Sequence, residues 1–430
     1  MGGMLETLKN AWKIPQLRQK ILFTVIMLMI FRLGSVIPVP GMSKDALKGL
    51  VAGDQGGVFG MLNTITGNAF QSATIFAMGI VPYINASIIM QLLTVAIPSL
   101  ERLQKEGEEG RKVIGQYMRY GTVVLGGIQA IALTISLKNA VVGGLNPFSF
   151  ITIIFSFTAG TAFLMWLGEQ ITENGIGNGI SLIIFAGIIS RGPDGVGSVI
   201  SYLGNVPSII GKIALVAGIV GAFVAIIVAV IWVQQAERRI PVQYAKKVVG
   251  RKVYGGQSTH IPMKVNLAGV MPIIFAMSLM MFPSTIISFF FASSTNGIVT
   301  FFKTAPGSFG YALLDGIFIV GFTFFYTMIY FNPVEVSNNL KKNGGFIPGI
   351  RPGKPTIDYI SKVLNRITLF GGLFLALISI LPTLLTMITS FRGVWFAGTS
   401  VLILVGVALE TIKQMESQML MRHYKGFLEK

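Results

Sequence analysis

The sequence contains no cysteine and only two histidines, His260 and His423. The chain therefore has no disulfide, no thiolate nucleophile and no cysteine metal ligand, and two separate histidines do not make a metal cluster. The glycine-rich stretch 175–179 (GIGNG) follows no strand and lacks the Lys-Ser/Thr of a phosphate-binding loop, so we expect a tight turn there. The sequence predicts no catalytic residue, no metal and no cofactor, and we expect a protein that is not an enzyme.

Charge is also scarce, because only 12% of the residues are charged. A soluble domain has about 25% charged residues. The chain is instead 52% hydrophobic, and it carries a net charge of +17. This composition argues against disorder and against an ordinary soluble enzyme, and it favours a membrane protein with basic water-exposed segments.

Long apolar runs divide the chain into ten candidate membrane spans. A bilayer core about 30 Å thick requires roughly 20 mostly apolar helical residues. The candidate spans are 21–37, 73–97, 120–137, 148–167, 180–201, 209–233, 267–291, 311–331, 367–388 and 394–409. The fifth is the weakest, because Arg191, Pro193 and Asp194 interrupt it. The sequence thus predicts an all-α polytopic membrane protein with ten transmembrane helices.

The basic residues are distributed unevenly about these spans. Ten spans place both termini on one side, and 26 of the 34 Lys and Arg residues lie in the segments on that side. An excess of Lys and Arg marks the cytoplasmic side of a membrane protein. We therefore expect both termini to be cytoplasmic.

Two connections on the predicted cytoplasmic side, about 234–265 and 332–366, are long as well as basic. Basic charge alone has an ordinary explanation in membrane orientation and in attraction to anionic phospholipid. Their length of about 30 residues exceeds what orientation requires, and long ordered loops tend to be functional. They are candidate docking sites for a large anionic or acidic partner.

The predicted spans have no acidic or basic residue near their middle, and the acids close to them, such as Asp315, lie at span ends. Ion-coupled transporters usually keep an ionisable residue deep in the membrane. The polar residues within or next to the spans are uncharged, among them Asn85, Gln91 and Asn266. For each one alone, an interhelical hydrogen bond is a sufficient explanation.

The glycine-rich segment between the first two spans, about 53–68, is half apolar and too short to cross a bilayer. One interpretation is an external loop with a surface turn of helix. The other is a re-entrant segment, since irregular backbone at membrane depth persists only inside protein or beside a water-filled cavity. The residues alone leave both interpretations open.

Five stretches taken together resemble one family. They are 76–93 (FAMGIVPYINASIIMQLL), 101–107 (ERLQKEG), 168–179 (GEQITENGIGNG), 256–266 (GQSTHIPMKVN) and 346–353 (FIPGIRPG). Their order and spacing resemble the SecY family, the channel subunits of the bacterial protein-export translocon. The resemblance covers nearly the whole chain.

The resemblance implies two inverted five-helix halves, at 1–200 and 201–430, around a central hourglass pore. Such a channel passes unfolded secretory polypeptides across the bacterial inner membrane and releases signal or transmembrane segments sideways into lipid. It is opened by docking of SecA or the ribosome. A small-solute secondary transporter is the alternative, which a titratable residue at the membrane midplane would favour, and a scaffold protein is a more distant one.

The resemblance also implies roles for individual residues. The constriction, or pore ring, would be Ile80, Ile84, Ile184, Ile188, Ile274 and Ile403. The plug, at about 54–68, would include Gly57, Val58, Phe59, Met61, Leu62 and Ile65. The lateral gate would include Asn85, Gln91 and Asn266. Two pairs of ring isoleucines are four residues apart and so project from one face of a helix.

Partner docking is implied for the two long basic loops. The docking residues would be Arg238, Arg239, Arg251, Lys252 and Arg351. The implied partners are the SecE and SecG subunits, the SecA ATPase, the ribosome through contacts to its RNA, the unfolded preprotein with its signal peptide, and anionic phospholipid. The chain has no nucleotide-binding motif, so the energy for transport would come from a partner.

Overall fold

The computed structural model describes residues 9, 11–53, 58–144, 146–204, 208–244, 247–249, 252–254, 258–290, 308–389 and 398–428. Most of these residues are helical. In chain order the helices are α1 (Pro15–Gly34), α2 (Lys44–Gly53), α3 (Val58–Ile65), α4 (Val81–Ala96), α5 (Pro98–Lys105), α6 (Glu108–Ser136), α7 (Pro147–Asn174), α8 (Gly179–Ser190), α9 (Gly192–Gly204), α10 (Ile209–Gln235), α11 (Met271–Phe290), α12 (Phe309–Tyr330), α13 (Pro333–Lys342), α14 (Lys354–Thr389) and α15 (Thr399–Leu428). The strands are β1 (Glu237–Tyr244), β2 (Lys247–Val249), β3 (Lys252–Tyr254), β4 (Ser258–Lys264) and β5 (Gly345–Phe346).

Each of the ten predicted spans overlaps one of these helices or, for the fifth, a pair of them. Over the part of the chain that the structure describes, six helical segments are long and apolar enough to cross a bilayer, and α4 with α5 makes a seventh candidate that is bent by 99°. The remaining predicted spans coincide with α1, α11 and α15. The helix α10 is the most apolar of the six, with a mean hydropathy of 3.0.

The second predicted span begins too early. Residues 73–80 form turns, and the helix α4 starts only at Val81. Ala73 and Gly79 have positive φ angles of 52° and 58°, which a right-handed helix excludes, and Pro82 in the first turn of α4 suits a helix start. The apolar composition of this stretch reflects burial, because Ala73 and Phe76 are buried in an irregular segment.

Both long basic connections are folded. The strands β4, β1 and β5 form one antiparallel sheet in that order, and β5 comes from the second connection. Pairing of Tyr244 with Gly345 therefore joins the two connections into one surface. The last residues of the second connection continue into α14, which begins at Lys354 and so precedes its predicted span.

Two seams join the first five predicted spans to the last five. At the first, which we call the front seam, α4 faces α11 and α12, and α11 also packs against α3 and α6. At the second, the back seam, α8 packs against α15. A single apolar cluster lies between the two seams and draws residues from α1, α4, α7, α8, α11, α12 and α15. This cluster is the centre of the molecule.

Candidate functional site

The six isoleucines predicted to line a constriction lie in this one central cluster. Each side chain is at most 5% exposed. Ile80 caps the start of α4 and Ile84 lies one turn into it, while Ile184 and Ile188 occupy successive turns of α8. Ile274 comes from α11 and Ile403 from α15, so the members approach from four directions. Their role in a pore ring stays a prediction, but the structure does bring them together.

A cavity of about 710 Å³ adjoins the cluster on the predicted cytoplasmic side. Ile84 and Ile274 form part of its lining, so the apolar cluster closes one end of it. Polar side chains line its walls, and Arg119 Nε donates to Glu169 Oε1 at 3.0 Å to join α6 to α7. Where the cavity meets Ile84 and Ile274, branched apolar side chains disfavour the entry of water and ions.

The front seam contains a hydrogen bond between residues 235 positions apart in the sequence. The Tyr326 hydroxyl on α12 donates to Gln91 Oε1 on α4 at 2.5 Å. The Gln91 amide in turn donates to Ser87 Oγ at 3.1 Å. Gln91 was predicted from the sequence to lie at a lateral gate, whereas Tyr326 was not. The one signal that could have identified Tyr326 is that a tyrosine hydroxyl within a predicted span needs a hydrogen-bond partner.

The other two predicted gate residues are placed differently. Asn85 is buried in the first half of α4. Asn266 is also buried, but its Nδ2 donates to the carbonyl oxygen of Gly269 at 2.9 Å, within the turn that precedes α11. That bond shapes the turn and does not cross the front seam.

Part of the predicted plug is a short helix against the centre. The helix α3 packs against α8 and α11, Leu62 is buried, and the Phe59 ring stacks on Phe70 with centroids 5.6 Å apart. Gly57 lies outside the described residues, as do the side chains of Val58, Met61 and Ile65.

The backbone that follows α3 is irregular and buried. Residues 66–80 form turns, yet Phe70 and Thr74 are completely buried. The buried backbone groups find protein partners, for example the Val39 amide, which donates to the Ala73 carbonyl oxygen at 2.7 Å. Within the glycine-rich segment 53–68 itself, Asn63 and Thr66 are also buried. Buried irregular backbone favours the re-entrant interpretation of that segment, which stays a prediction.

The predicted docking residues lie on or near the sheet. Arg238 and Arg239 are exposed on β1, and Arg351 is exposed just after the turn that follows β5. Arg251 and the side chain of Lys252 lie outside the described residues. Lys413 on α15 is near Lys264 of β4, and its burial and that positive neighbour lower its pKa. The sheet therefore lies near α15, at the predicted cytoplasmic end of the back seam.

One acidic residue near a span end is buried. Asp315 lies in the second turn of α12, and its side chain accepts a hydrogen bond of 2.8 Å from Ser379 Oγ on α14. Ser379 lies ten residues before the end of α14, which is about 15 Å along the helix. The Asp315 carboxylate is not among the residues that line the cavity. It ties two helices of the same half together.

No group of three or more His, Asp or Glu residues that could hold a metal ion occurs in the part of the chain that the structure describes. No residue set for a cofactor was predicted from the sequence either.

Comparisons with known proteins agree with this architecture. The family model SecY matches residues 74–412. The protein translocase subunit SecY of Halalkalibacterium halodurans is 48% identical over 99% of this chain and 100% of the relative. A structure described as that of a protein-conducting channel has a TM-score of 0.66 at 19% identity, covering 93% of this chain and 92% of the other. Sec61 in a canine ribosome–channel complex has a TM-score of 0.62 at 18% identity, over the same shares.

Proposed function

The chain belongs to the SecY family, and on this premise we propose that it works as a protein-conducting channel through the six-isoleucine constriction. It is a protein translocase channel subunit that passes unfolded polypeptides across the membrane. The observation that carries the residue-level proposal is the convergence of all six isoleucines, from four elements, in one apolar cluster, two of whose members, Ile84 and Ile274, also line the cavity. None of the relatives named above is a small-solute transporter.

The constriction seals by being apolar and deformable. When the pore is empty, branched apolar side chains disfavour water and ions in the narrow passage. When a polypeptide passes, the isoleucine side chains form no hydrogen bonds with it, and they make room for it by changing rotamer. Such a ring contacts the passing chain without discriminating between its side chains, which suits a channel that must carry many sequences.

The front seam is the lateral gate in this proposal. The Tyr326–Gln91 hydrogen bond holds α12 to α4 beside the cavity while the channel is idle. A signal segment that enters from the cavity replaces this contact with its own apolar surface and shifts the equilibrium toward the separated state. The two inverted halves, 1–200 and 201–430, move apart along this seam.

The helix α3 and the turns after it act as the plug. The plug closes the constriction from the outer side: α3 contacts α8 and α11, which carry three of the isoleucines, while Phe59 and Leu62 pack in the adjoining apolar cluster. The glycines before it, including Gly57, permit the chain to fold back into the molecule. Release of the plug and separation of the front seam together open the route outward.

The β1–β4–β5 surface is the docking platform. Its exposed arginines suit phosphate and carboxylate partners, because a guanidinium binds two oxygens at once. SecA and the ribosome dock here, and contacts to ribosomal RNA are sensitive to salt. The ribosome-bound Sec61 structure supports the ribosome as a partner. Because β1 pairs with β5, the two connections form one surface, and a partner that binds either connection also displaces the other.

The setting follows from the same premise. The chain works in the bacterial inner membrane with both termini in the cytoplasm, together with SecE, SecG and anionic phospholipid. It catalyses no reaction of its own, and SecA or the ribosome supplies the energy.

A stalled secretory chain tests the path of the substrate. Single cysteines replace Ile80 and Ile274, and a matched control cysteine replaces Val220, which is 54% exposed on α10. The native chain has no cysteine, so every thiol crosslink comes from the introduced position. We expect crosslinks from the two constriction positions and none from Val220. Crosslinking that is equal at all three positions would contradict the proposed path.

The docking platform has a test of its own. Arg351→Glu reverses an exposed charge on the platform, and Lys138→Glu makes the same change at an exposed position on the predicted outer side. We expect Arg351→Glu to stop SecA-driven export while the protein still accumulates in the membrane, and Lys138→Glu to export normally. Normal export by Arg351→Glu would remove that residue from the docking site.

A further inference from the structure

The turn that follows the plug helix lies directly against α8, which carries two of the constriction isoleucines. We propose that Asn68 and Asp194 form a latch that holds the plug closed, and that movement of the α8–α9 segment releases it. This inference rests on the proposed roles of α3 as plug and of the isoleucines as seal. It adds two positioning residues that connect them.

The close approach is at Gly67. A Cβ atom placed on this residue would lie 2.7 Å from Gly187 Cα, from the Gly187 carbonyl oxygen and from Ser190 Oγ. Gly187 is adjacent to Ile188 of the constriction, so the plug turn touches α8 at the height of the seal. The backbone at Gly67 also has a positive φ of 62°. Only glycine satisfies both the contact and the conformation.

Polar contacts hold the turn in place on the same side. Arg32 Nη1 and Ser190 Oγ approach the Gly67 carbonyl oxygen at 3.5 and 3.3 Å. These two contacts are weak, because Ser190 has one hydroxyl proton and lies closer to the Gly187 carbonyl oxygen, at 2.7 Å. The third contact runs from Asn68 Nδ2 to Asp194 Oδ2; it is exposed to solvent, and its carboxylate acceptor makes it charge-assisted.

Asn68 and Asp194 are suited to this contact by their positions. Asn68 has a φ of 70°, a left-handed conformation that asparagine tolerates better than most residues. Asp194 lies in the first turn of α9, where the helix dipole favours a carboxylate. The latch therefore spans 126 residues and joins the plug turn to the second half of the fifth span.

The turn is also rigidly connected to α3, so a force on Asn68 reaches the plug. Asn63 Nδ2 donates to Asn68 Oδ1 at 3.0 Å, and the Asn68 amide donates to the Asn63 carbonyl oxygen at 3.0 Å. The Gln71 amide donates to Asn63 Oδ1, also at 3.0 Å. These bonds connect the helix to its turn, and the Asn68–Asp194 bond connects the turn to α9.

A charge exchange tests the latch. Asn68→Asp keeps the acceptor for Asn63 but faces Asp194 with a second carboxylate, so we expect the idle ion conductance of reconstituted channels to rise roughly fivefold. Combining Asn68→Asp with Asp194→Asn restores an amide–carboxylate pair in the opposite order. We expect this double variant to return to the native conductance. The rescue would show that the two side chains are coupled, and thermal unfolding of the same variants shows whether leakage rises without a loss of stability.

Asn68→Gly provides the matched backbone control. Glycine accepts the left-handed conformation and removes the side-chain contacts with both Asp194 and Asn63 without adding a charge, so this variant should also leak, though less than Asn68→Asp. Native conductance in Asn68→Asp, or a double variant that leaks as much as the single one, would overturn the latch.

Leakage by constriction variants distinguishes a failure of the latch from a failure of the proposed constriction. If channels with Ile188→Ala and Ile274→Ala leak while all latch variants stay tight, the latch is wrong and the channel stands. If neither set leaks, the proposed constriction itself fails.

Discussion

The front and back seams meet at the same constriction but are built differently. At the front, Gln91 and Tyr326 form a hydrogen bond beside a cavity of about 710 Å³. At the back, the turn that precedes α8 lies close to α15. Ile176 and Met415 belong to one apolar cluster, and a Cβ on Gly177 would lie 3.1 Å from Thr411 Oγ1. The front combines apolar packing with a hydrogen bond beside a cavity, whereas the back brings apolar side chains and a glycine into close contact.

This difference indicates which seam opens. A hydrogen bond beside a water-accessible cavity can be exchanged for water at little net cost, because its groups are solvated again when it breaks. Separating a close-packed apolar seam removes dispersion contacts and exposes apolar surface with no such compensation. We therefore infer that the halves separate at the front and pivot at the back, and that the constriction widens from one side.

The largest expected effect comes from the constriction, where both seams contribute. Ile188→Ala with Ile274→Ala removes one branched side chain from the back and one from the front. We expect the idle ion conductance in vesicles to rise at least about tenfold, which corresponds to about 1.4 kcal/mol, less than one buried Ile→Ala change typically costs.

The matched control removes the same atoms away from the constriction. Ile153 and Ile273 are completely buried in other clusters, and Ile273 is the immediate neighbour of Ile274. Ile153→Ala with Ile273→Ala should lower stability without leakage. Equal leakage from both double variants would mean that loose packing, and not a local seal, controls conductance.

The next effect is expected at the back seam. Gly177→Ala adds a Cβ at a φ of 89°, 3.0 Å from Leu182 Cδ1 and 3.1 Å from Thr411 Oγ1. Backbone strain and overpacking together should lower the free energy of unfolding by about 2 kcal/mol. Thermal unfolding of the solubilised protein measures the change.

Gly349 provides the control for strain alone. It has a φ of 79°, and an added Cβ would have no neighbour within 4 Å. Gly349→Ala should therefore be less destabilising than Gly177→Ala. The close packing assigned to the back seam would be wrong if the two variants lost the same stability.

The smallest effect is expected at the front seam. Tyr326→Phe removes the hydroxyl that Gln91 accepts from, while Gln91 can still bond to water in the cavity. The loss should be about 1 kcal/mol, so export of a preprotein with a weakened signal sequence should rise roughly fivefold. Tyr330→Phe is the control, because this neighbouring tyrosine stacks on Tyr326 and also lines the cavity. Equal export by the two variants would argue against the Tyr326 hydroxyl as a gate contact.

Much of the fold could be predicted from the sequence because apolar length and basic charge are direct consequences of a bilayer. Each of the ten predicted spans overlaps a helix or a pair of helices among the described residues. The start of α4 was wrong by eight residues, since the buried turns at 73–80 are as apolar as a helix. Composition reports burial, and it does not distinguish a buried turn from a buried span.

The site was predictable only where the resemblance supplied positions. The isoleucines alone had no feature that separates a constriction from ordinary core or lipid contact, yet the structure brings all six into one cluster. Contacts between residues far apart in the sequence could not be predicted. Neither Tyr326 as the partner of Gln91 nor Asp194 as the partner of Asn68 leaves a local pattern, because each pair forms only when the helices are packed.

The most direct test of unequal seams is to lock each one in turn. Cysteines at Gln91 and Tyr326 are joined across the front with a cleavable bis-thiol crosslinker, and cysteines at Ile176 and Met415 are joined across the back with the same reagent. Export of a secretory preprotein is then measured before and after cleavage. We predict that the front lock stops export and that cleavage restores it, while the back lock leaves export unchanged. Normal export through a front-locked channel, or a block caused by the back lock, would contradict the account.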